Sequence, residues 1–177
     1  MPFEYNAFED ARLTSQLEAL EEPSLWLLSR KDQTAHSVRF LWMATGQQTI
    51  AIRISGMGDS AVLRVAKHDG HMGIVAKKDA KLILDKELKL TKEQWNGFVK
   101  RLDEAKFWDS PTNVDENNGI ADGDTLHFEG TRKGKYHLVL RVGLTSSKEY
   151  KALCRYLFEL AKTDDLKAWD HFRSIEK

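Results

Sequence analysis

The stretch Thr49-Ile50-Ala51-Ile52-Arg53-Ile54 decides the fold class of this chain. Isoleucine occupies every second position, which is the spacing that places side chains of a β-strand on one face of a sheet. The intervening positions carry a threonine, an alanine and an arginine, so we expect the second face to be at least partly hydrated. Further apolar runs lie at residues 25–28, 38–43, 62–66 and 82–84, separated by turn-forming residues. Residues 24–90 therefore predict a meander of four or five strands.

A helix is predicted before these strands, and a second helix after them. Asn6 with Glu9 is typical of a helix start, and leucines at positions 13, 17 and 20 then share one helical face until Pro23. After the strands, Thr91 with Gln94 has the spacing of a capping box. The apolar face of this second helix is expected to consist of Trp95, Phe98, Val99 and Leu102.

The last third of the chain predicts a hairpin and two more helices. Strands are expected at residues 125–130 and 136–142, after a polar loop over residues 109–123. Ser146 with Glu149 predicts a capping box for the next helix. The apolar face of that helix would comprise Tyr150, Leu153, Leu157 and Leu160. A short terminal helix over residues 166–175 would present Trp169 and Phe172.

Together these elements predict an α+β fold. We expect a mostly antiparallel sheet of about five to seven strands with helices packed on one face. The 177 residues should form a single domain, in which residues 1–90 and 91–177 share the core.

Composition argues against several classes of function. Lys and Arg total 27 and Asp and Glu total 27, so the chain lacks the basic excess typical of nucleic-acid binders. The only cysteine, Cys154, excludes an intrachain disulfide and is expected to pack as a small apolar side chain. The longest apolar run, residues 40–44, is far shorter than the roughly 18 residues of a membrane-spanning helix. With a start unlike a secretory signal, the sequence predicts a cytoplasmic protein without nucleic-acid or membrane partners.

The register of the predicted hairpin can be argued from its turn. If residues 132–134 form a three-residue loop, Gly134 takes the left-handed position that such loops need. Phe128 then pairs with Leu138, the leucines at 126 and 140 pair likewise, and the apolar side chains share one face. A two-residue loop would mix apolar and charged side chains on both faces, so the three-residue loop is favoured.

The opposite face of this hairpin holds the one candidate for chemistry. Glu129 would lie across from His137, with His127 and Arg141 beside them and Asp122 at the end of the preceding loop. A carboxylate can orient an imidazole and raise its pKa, as in a general acid–base pair. Alternatively, His127, Glu129 and His137 could bind zinc or iron. The simplest interpretation is a structural cross-strand ion pair.

The other motifs are weak. Residues 69–73 contain two glycines and a histidine, but no helix follows that would bind phosphate at its N-terminus. The Asn-, Asp- and Gly-rich segments of residues 117–124 lack the spacing and the closing glutamate of a calcium loop. We therefore expect no cofactor.

Several stretches resemble a family of uncharacterised bacterial proteins. They are Glu22-Pro23-Ser24-Leu25-Trp26, Arg39-Phe40-Leu41-Trp42, Phe107-Trp108, Asp122-Gly123, Glu129-Gly130, Tyr136-His137 and Arg141. The resemblance extends over residues 20–162 and implies a bacterial source and an α+β fold, without an established activity. It includes Asp122, Glu129, His137 and Arg141, which the predicted register brings together.

The leading functional hypothesis is a non-enzymatic binding protein, of the kind by which bacterial immunity proteins neutralise a toxin or effector domain. Small size, the lack of a cofactor motif and the five tryptophans favour it, because exposed tryptophan rimmed by charge is typical of interfaces. The polar loop over residues 109–123, which we call the acidic loop, would contact a basic toxin surface. The predicted partner-binding residues are Asp115, Glu116, Asp122, Asp124, Glu129, His137 and Arg141.

Two alternatives stay open. A hydrolase or metal-dependent enzyme would use Glu129, His137, Arg141 and Asp122 as catalytic residues in a concave pocket. A sensor or structural subunit would instead dimerise through an apolar patch around Trp169 and Phe172.

Overall fold

The fold consists of helices packed on a β-sheet. A computed structural model describes residues 7–44, 47–70, 79–112, 124–142, 147–165, 167 and 169–170. The helices are α1 (Ala7–Ala19), α2 (Leu25–Lys31), α3 (Lys92–Glu104) and α4 (Lys148–Ala161). The strands are β1 (His36–Ala44), β2 (Ile50–Ser55), β3 (Val62–His68), β4 (Leu82–Lys89), β5 (Asp124–Arg132) and β6 (Lys135–Val142). No helix within these ranges has the length and apolar character needed to cross a membrane.

All six strands belong to one antiparallel sheet in the order β4-β3-β2-β1-β5-β6. The first four strands form the predicted meander, and β5 then pairs with the free side of β1. Strands β4 and β6 lie at the two edges. The predicted α+β fold with an antiparallel sheet is confirmed.

Helices cover both faces of the sheet, whereas they were expected on one. On the first face, aromatic side chains of β1 pack with Phe158 of α4 and with residues of α3 in the main core. On the second face, Leu41 and Ala51 form a smaller core with the leucines at 13, 17 and 20. On the second face, Ala51 of β2 and Thr49 just before it are therefore fully buried, and Arg53 and Ser55 keep partial exposure.

Two of the predicted helices are confirmed with their apolar faces. Helix α3 begins with the expected capping box: the Thr91 hydroxyl accepts from the Gln94 amide at 3.3 Å, and the Gln94 side chain accepts from the Thr91 amide at 2.8 Å. Helix α4 is capped by Ser147 rather than by the predicted Ser146, since the Ser147 hydroxyl accepts from the Tyr150 amide. Asn6, the predicted cap of α1, lies outside the described residues.

The prediction of a strand at residues 25–28 is wrong, because this segment begins helix α2. The Ser24 hydroxyl accepts a hydrogen bond from the Leu27 amide at 3.2 Å and caps the helix. Arg30 and Lys31 occupy its last turn, where positive charges stabilise the helix because its C-terminal end carries a partial negative charge. A four-residue apolar run fits a strand or a buried helical turn equally well, so the cap is the informative signal.

The predicted register of the β5–β6 hairpin is also wrong. Phe128 pairs with Val139 and Leu126 with Arg141, so the turn has two residues, Lys133 and Gly134. Both have positive φ, 49° and 69°, as a type I′ turn requires. The apolar pattern misled because helices cover both faces, so apolar and polar side chains find partners on each side.

Candidate functional site

The corrected register separates the predicted site residues. Side chains directly opposite each other in an antiparallel pair project to the same face. Glu129 pairs with Arg39 on β1 and with Leu138 on β6, whereas His137 pairs with Gly130. Glu129 and His127 therefore lie on the α1 face, and His137 and Arg141 lie on the face that α3 and α4 cover.

This separation removes the geometry that both catalytic alternatives needed. A general acid–base pair of Glu129 and His137 is not formed, and His127, Glu129 and His137 do not share a face as zinc or iron ligands must. In the described part of the chain, no three His, Cys, Asp or Glu side chains converge to hold a metal ion.

Glu129 is the counterion of a buried arginine. Its carboxylate accepts from Nη2 of Arg39, and the two side chains are 7% and 1% exposed. The same guanidinium donates through Nη1 to the Pro23 carbonyl at 2.7 Å and to Glu22 at 3.2 Å. Glu129 thus belongs to a buried structural network, as the simplest interpretation of the sequence anticipated, but its partner is Arg39 rather than His137.

His127 lies on the same face and is neutral in the folded protein. Burial lowers the pKa of His127 to about 3, and the nearby cations Arg12 and Arg39 act in the same direction. Among the described residues, its Nδ1 atom has no hydrogen-bond partner. A ring that stays neutral above pH 3 cannot shuttle protons near neutral pH.

His137 and Arg141 anchor the segment that follows α3. The His137 ring packs against Phe107 and Trp108, with centroids 5.1 and 6.2 Å away, and burial lowers its pKa. Arg141 Nη1 donates to the carbonyl oxygens of residues 111 and 112 at 3.2 and 3.1 Å. These contacts fasten the beginning of the polar loop to the edge strand β6, which is a structural role.

The structure does not test the acidic loop residues that were predicted to bind a partner. Asp115, Glu116 and Asp122 lie outside the described residues, and Asp124 opens β5, where it pairs with Ala44. Their contact with a partner stays a prediction.

Sequence reasoning missed a large cluster of charged side chains among the described residues. Arg39, Arg53 and Arg64 are register neighbours on β1, β2 and β3. All three bind Glu22, whose side chain is fully buried, at 3.2, 2.9 and 2.5 Å. Arg64 also binds Asp85 on β4 at 2.8 Å. We call these three residues the arginine row.

The positive charges of the arginine row are balanced by carboxylates of the same chain, which favours a structural role for the row over a ligand-binding one. Three adjacent guanidinium groups would repel one another, and the carboxylates of Glu22, Glu129 and Asp85 neutralise them. Burial opposes the charge of Arg64, but its hydrogen bonds to Asp85 and Glu22 outweigh this and raise its pKa. The row therefore fastens the connection between α1 and α2 to the sheet.

One signal in the sequence pointed to this cluster. Three predicted strands each carry one arginine in the middle of an apolar run: Arg39, Arg53 and Arg64. Unless such an arginine faces solvent, its charge must be balanced by a carboxylate. Pairing the strands as a meander aligns them. The sequence did not predict which carboxylate binds all three arginines, because Glu22 lies in a turn between two helices and not on a paired strand.

The exposed apolar surface of the described residues includes one tryptophan. Trp42 and Trp169 are buried and Trp95 and Trp108 pack partly buried against the core, whereas Trp26 on α2 is 50% exposed. Leu27 beside it is 45% exposed. The Arg30 guanidinium lies 5.6 Å from the Trp26 ring centroid. We call these three residues the Trp26 surface.

Helix α2 holds the Trp26 surface in a fixed position. Leu25 and Ser29 are buried on its inner side, where the helix packs against β5 and β6. The Ser29 hydroxyl donates to the Trp26 carbonyl at 2.7 Å. The helix therefore presents a large aromatic side chain to solvent from a rigid support.

No family model matches this chain, and no curated protein is significantly similar to it.

Proposed function

We propose that this chain is a non-enzymatic binding protein of the bacterial cytoplasm, of the immunity type that neutralises a protein toxin or effector domain. The Trp26 surface is the observation that supports it. Tryptophan and arginine are the residues most enriched among those that dominate the energy of protein interfaces. Here they occur together, beside Leu27, on a helix whose inner side is already packed.

The exposed half of Trp26 offers substantial binding energy. A tryptophan buries about 200 Å² when fully covered, so covering the remaining half contributes about 2 kcal/mol. The backbone of Trp26 is fixed beforehand in α2, which packs against β5 and β6, and this reduces the entropy lost on binding. Other large exposed apolar side chains of the described residues, Met57 and Ile83, lie in the β2–β3 turn and on the edge strand β4. Neither is an aromatic side chain, and aromatic side chains dominate interface energetics.

The test is affinity isolation from the source bacterium with three forms of the protein: wild type, Trp26→Ala/Leu27→Ser, and Met57→Ser/Ile83→Ser. The third form is the matched control, because it also removes two exposed apolar side chains. We expect one stoichiometric protein partner with the wild type and the control, and its loss with the first variant. The purified partner should then form a complex of defined stoichiometry by light scattering.

The immunity assignment has its own assay. Expression of the partner alone should arrest growth, and co-expression of the wild-type chain should restore it, while Trp26→Ala/Leu27→Ser should not. A partner that binds all three forms equally would show that the Trp26 surface is not the binding site. A partner that is harmless when expressed alone would contradict the immunity role.

A further inference from the structure

The cationic side chains around α2 form a second feature of this surface. Arg30 and Lys31 end the helix, and the β5–β6 turn carries Arg132, Lys133 and Lys135; all five are exposed. Among the described residues, none of the five has a carboxylate within ion-pairing distance. The one acidic residue in these two segments is Asp32.

The two segments are in contact, so their charges add. Gln33, just after α2, lies so close to the turn that its Oε1 atom would be 1.9 Å from a Cβ atom on Gly134. Its amide nitrogen donates to the Ser29 carbonyl at 3.3 Å, which links the turn to the helix. We call the five cations with Trp26 and Leu27 the basic corner.

We propose that the basic corner binds an acidic protein surface, a proposal that rests on the binding function proposed above and defines the chemistry of its partner. The formal net charge of the whole chain is zero, so five cations at one corner, none with a carboxylate partner among the described residues, are a strong local asymmetry. Such clusters steer and orient partners of opposite charge. In the proposed complex, Trp26 and Leu27 supply the apolar contacts and the cations supply the contacts with carboxylates.

The observations favour a protein over a nucleic acid as the partner. Single-stranded nucleic acids bind through bases stacked on open aromatic rings. Here the Trp26 ring has Arg30 beside it, and the Trp108 ring has the Arg132 guanidinium 4.3 Å from its centroid. Leu27 provides no stacking surface, whereas an acidic protein with apolar side chains matches both components.

The partner class differs from the expectation drawn from the sequence, in which the acidic loop contacts a basic toxin. That loop includes Asp115, Glu116 and Asp122 outside the described residues, so its role is a separate prediction. The basic corner is built from segments distant in sequence, which is why the sequence did not reveal it.

The experiment measures binding of fluorescent probes to the full chain by anisotropy. The probes are a peptide rich in Asp and Glu with interspersed leucines, the same peptide with Asn and Gln replacing the acids, and single-stranded oligothymidylate. Lys31→Glu/Lys135→Glu reverses two cations of the corner that make no ring contacts. Lys100→Glu/Lys148→Glu is the control, since it reverses two lysines that are 74% and 93% exposed on α3 and α4.

We expect the acidic peptide to bind best and to bind at least about tenfold more weakly to Lys31→Glu/Lys135→Glu, with the control near wild type. Added salt should weaken the wild-type complex. The proposal is overturned if both variants lose affinity equally, if oligothymidylate binds more tightly than the peptide, or if no probe binds the wild type.

The partner isolated with the Trp26 surface separates this proposal from the binding function. If that partner binds wild type and Lys31→Glu/Lys135→Glu equally and ignores salt, the acidic chemistry is wrong and the binding function stands. If its binding depends on the two lysines but not on Trp26 and Leu27, the acidic chemistry stands and the Trp26 surface is not its centre.

Discussion

Glu22 is the residue on which the polar side of the sheet depends. Its buried carboxylate binds three arginines from three successive strands, and it lies just after Glu21, which has a positive φ of 52°. A buried carboxylate is stable only when its charge and hydrogen-bonding capacity are satisfied. The arginine row supplies both, so the residue joins the helix connection to β1, β2 and β3.

Glu22→Gln should therefore destabilise the protein strongly. The substitution keeps the shape but removes the charge that three arginines share, and breaking a buried ion pair costs about 3–5 kcal/mol. The free energy of unfolding in urea measures it. Asp85→Asn is the matched control on the same row, because Asp85 is 45% exposed and should cost no more than about 1 kcal/mol. Equal losses for the two variants would refute a central role of Glu22.

His127 gives the folded protein a pH dependence. Its folded pKa of about 3 lies below the unfolded value of 6.5, so the unfolded state binds the proton first as the pH falls. Stability is thus unaffected above pH 6.5 and decreases towards pH 3, by about 3 kcal/mol at pH 4.

Urea unfolding of wild type and His127→Gln between pH 7 and pH 4 tests this prediction. The variant should lose stability less steeply with acidification, although His68 and His137, whose pKa values burial also lowers, keep part of the slope. Parallel curves for the two proteins would show that His127 takes up its proton in the folded state.

At the scale of elements, the β5–β6 hairpin determines which residues can act together. Its two-residue turn puts Glu129 and His137 on opposite faces, and a three-residue turn would have put them side by side. The turn also approaches Gln33 after α2, so the hairpin positions one side of the basic corner. One element thus separates the predicted site and assembles the proposed one.

Gly134→Ala should destabilise this turn by about 1 kcal/mol, because the residue has a φ of 69°. A Cβ atom would also lie 1.9 Å from Gln33 Oε1, but that atom ends an exposed, flexible side chain, which can move aside at little cost. Gly58→Ala is the control, since Gly58 has a φ of 55° but open space around it, and it should cost about 1 kcal/mol.

Thermal and urea unfolding should show similar losses for Gly134→Ala and Gly58→Ala, and adding Gln33→Ala to Gly134→Ala should change the loss little. A much larger loss for Gly134→Ala, recovered by Gln33→Ala, would contradict this prediction and show that Gln33 is held rigidly against the turn.

At the scale of the whole molecule, the tryptophans divide between core and surface. Trp169 is 1% exposed and packs against Phe40, Trp42 and Phe158, so the dimerisation patch expected around it does not exist at this residue. Phe172 lies outside the described residues. Of the five tryptophans, Trp26 is the one that is half exposed, whereas Trp95 and Trp108 are partly buried against the core.

Trp169→Ala should consequently destabilise the protein more than Trp26→Ala. The first creates a cavity in the main core and should cost about 3–5 kcal/mol. The second removes a side chain that is only half buried and should cost about 2 kcal/mol or less. Acrylamide should quench less of the remaining fluorescence in Trp26→Ala than in wild type. A large loss of stability in Trp26→Ala would mean that this residue is needed for folding rather than available for binding.

The sequence by itself determined the elements whose signals are local. The alternation in residues 49–54 gave β2, and the capping box of Thr91 and Gln94 gave α3, because both patterns depend on neighbours within a few residues. The tertiary structure alone decided the hairpin register and the arginine row. In a sheet covered on both faces, the alternation of apolar residues does not distinguish one hairpin register from another. The arginine row depends on contacts such as that of Glu22 with Arg64, which lie 42 positions apart in the sequence.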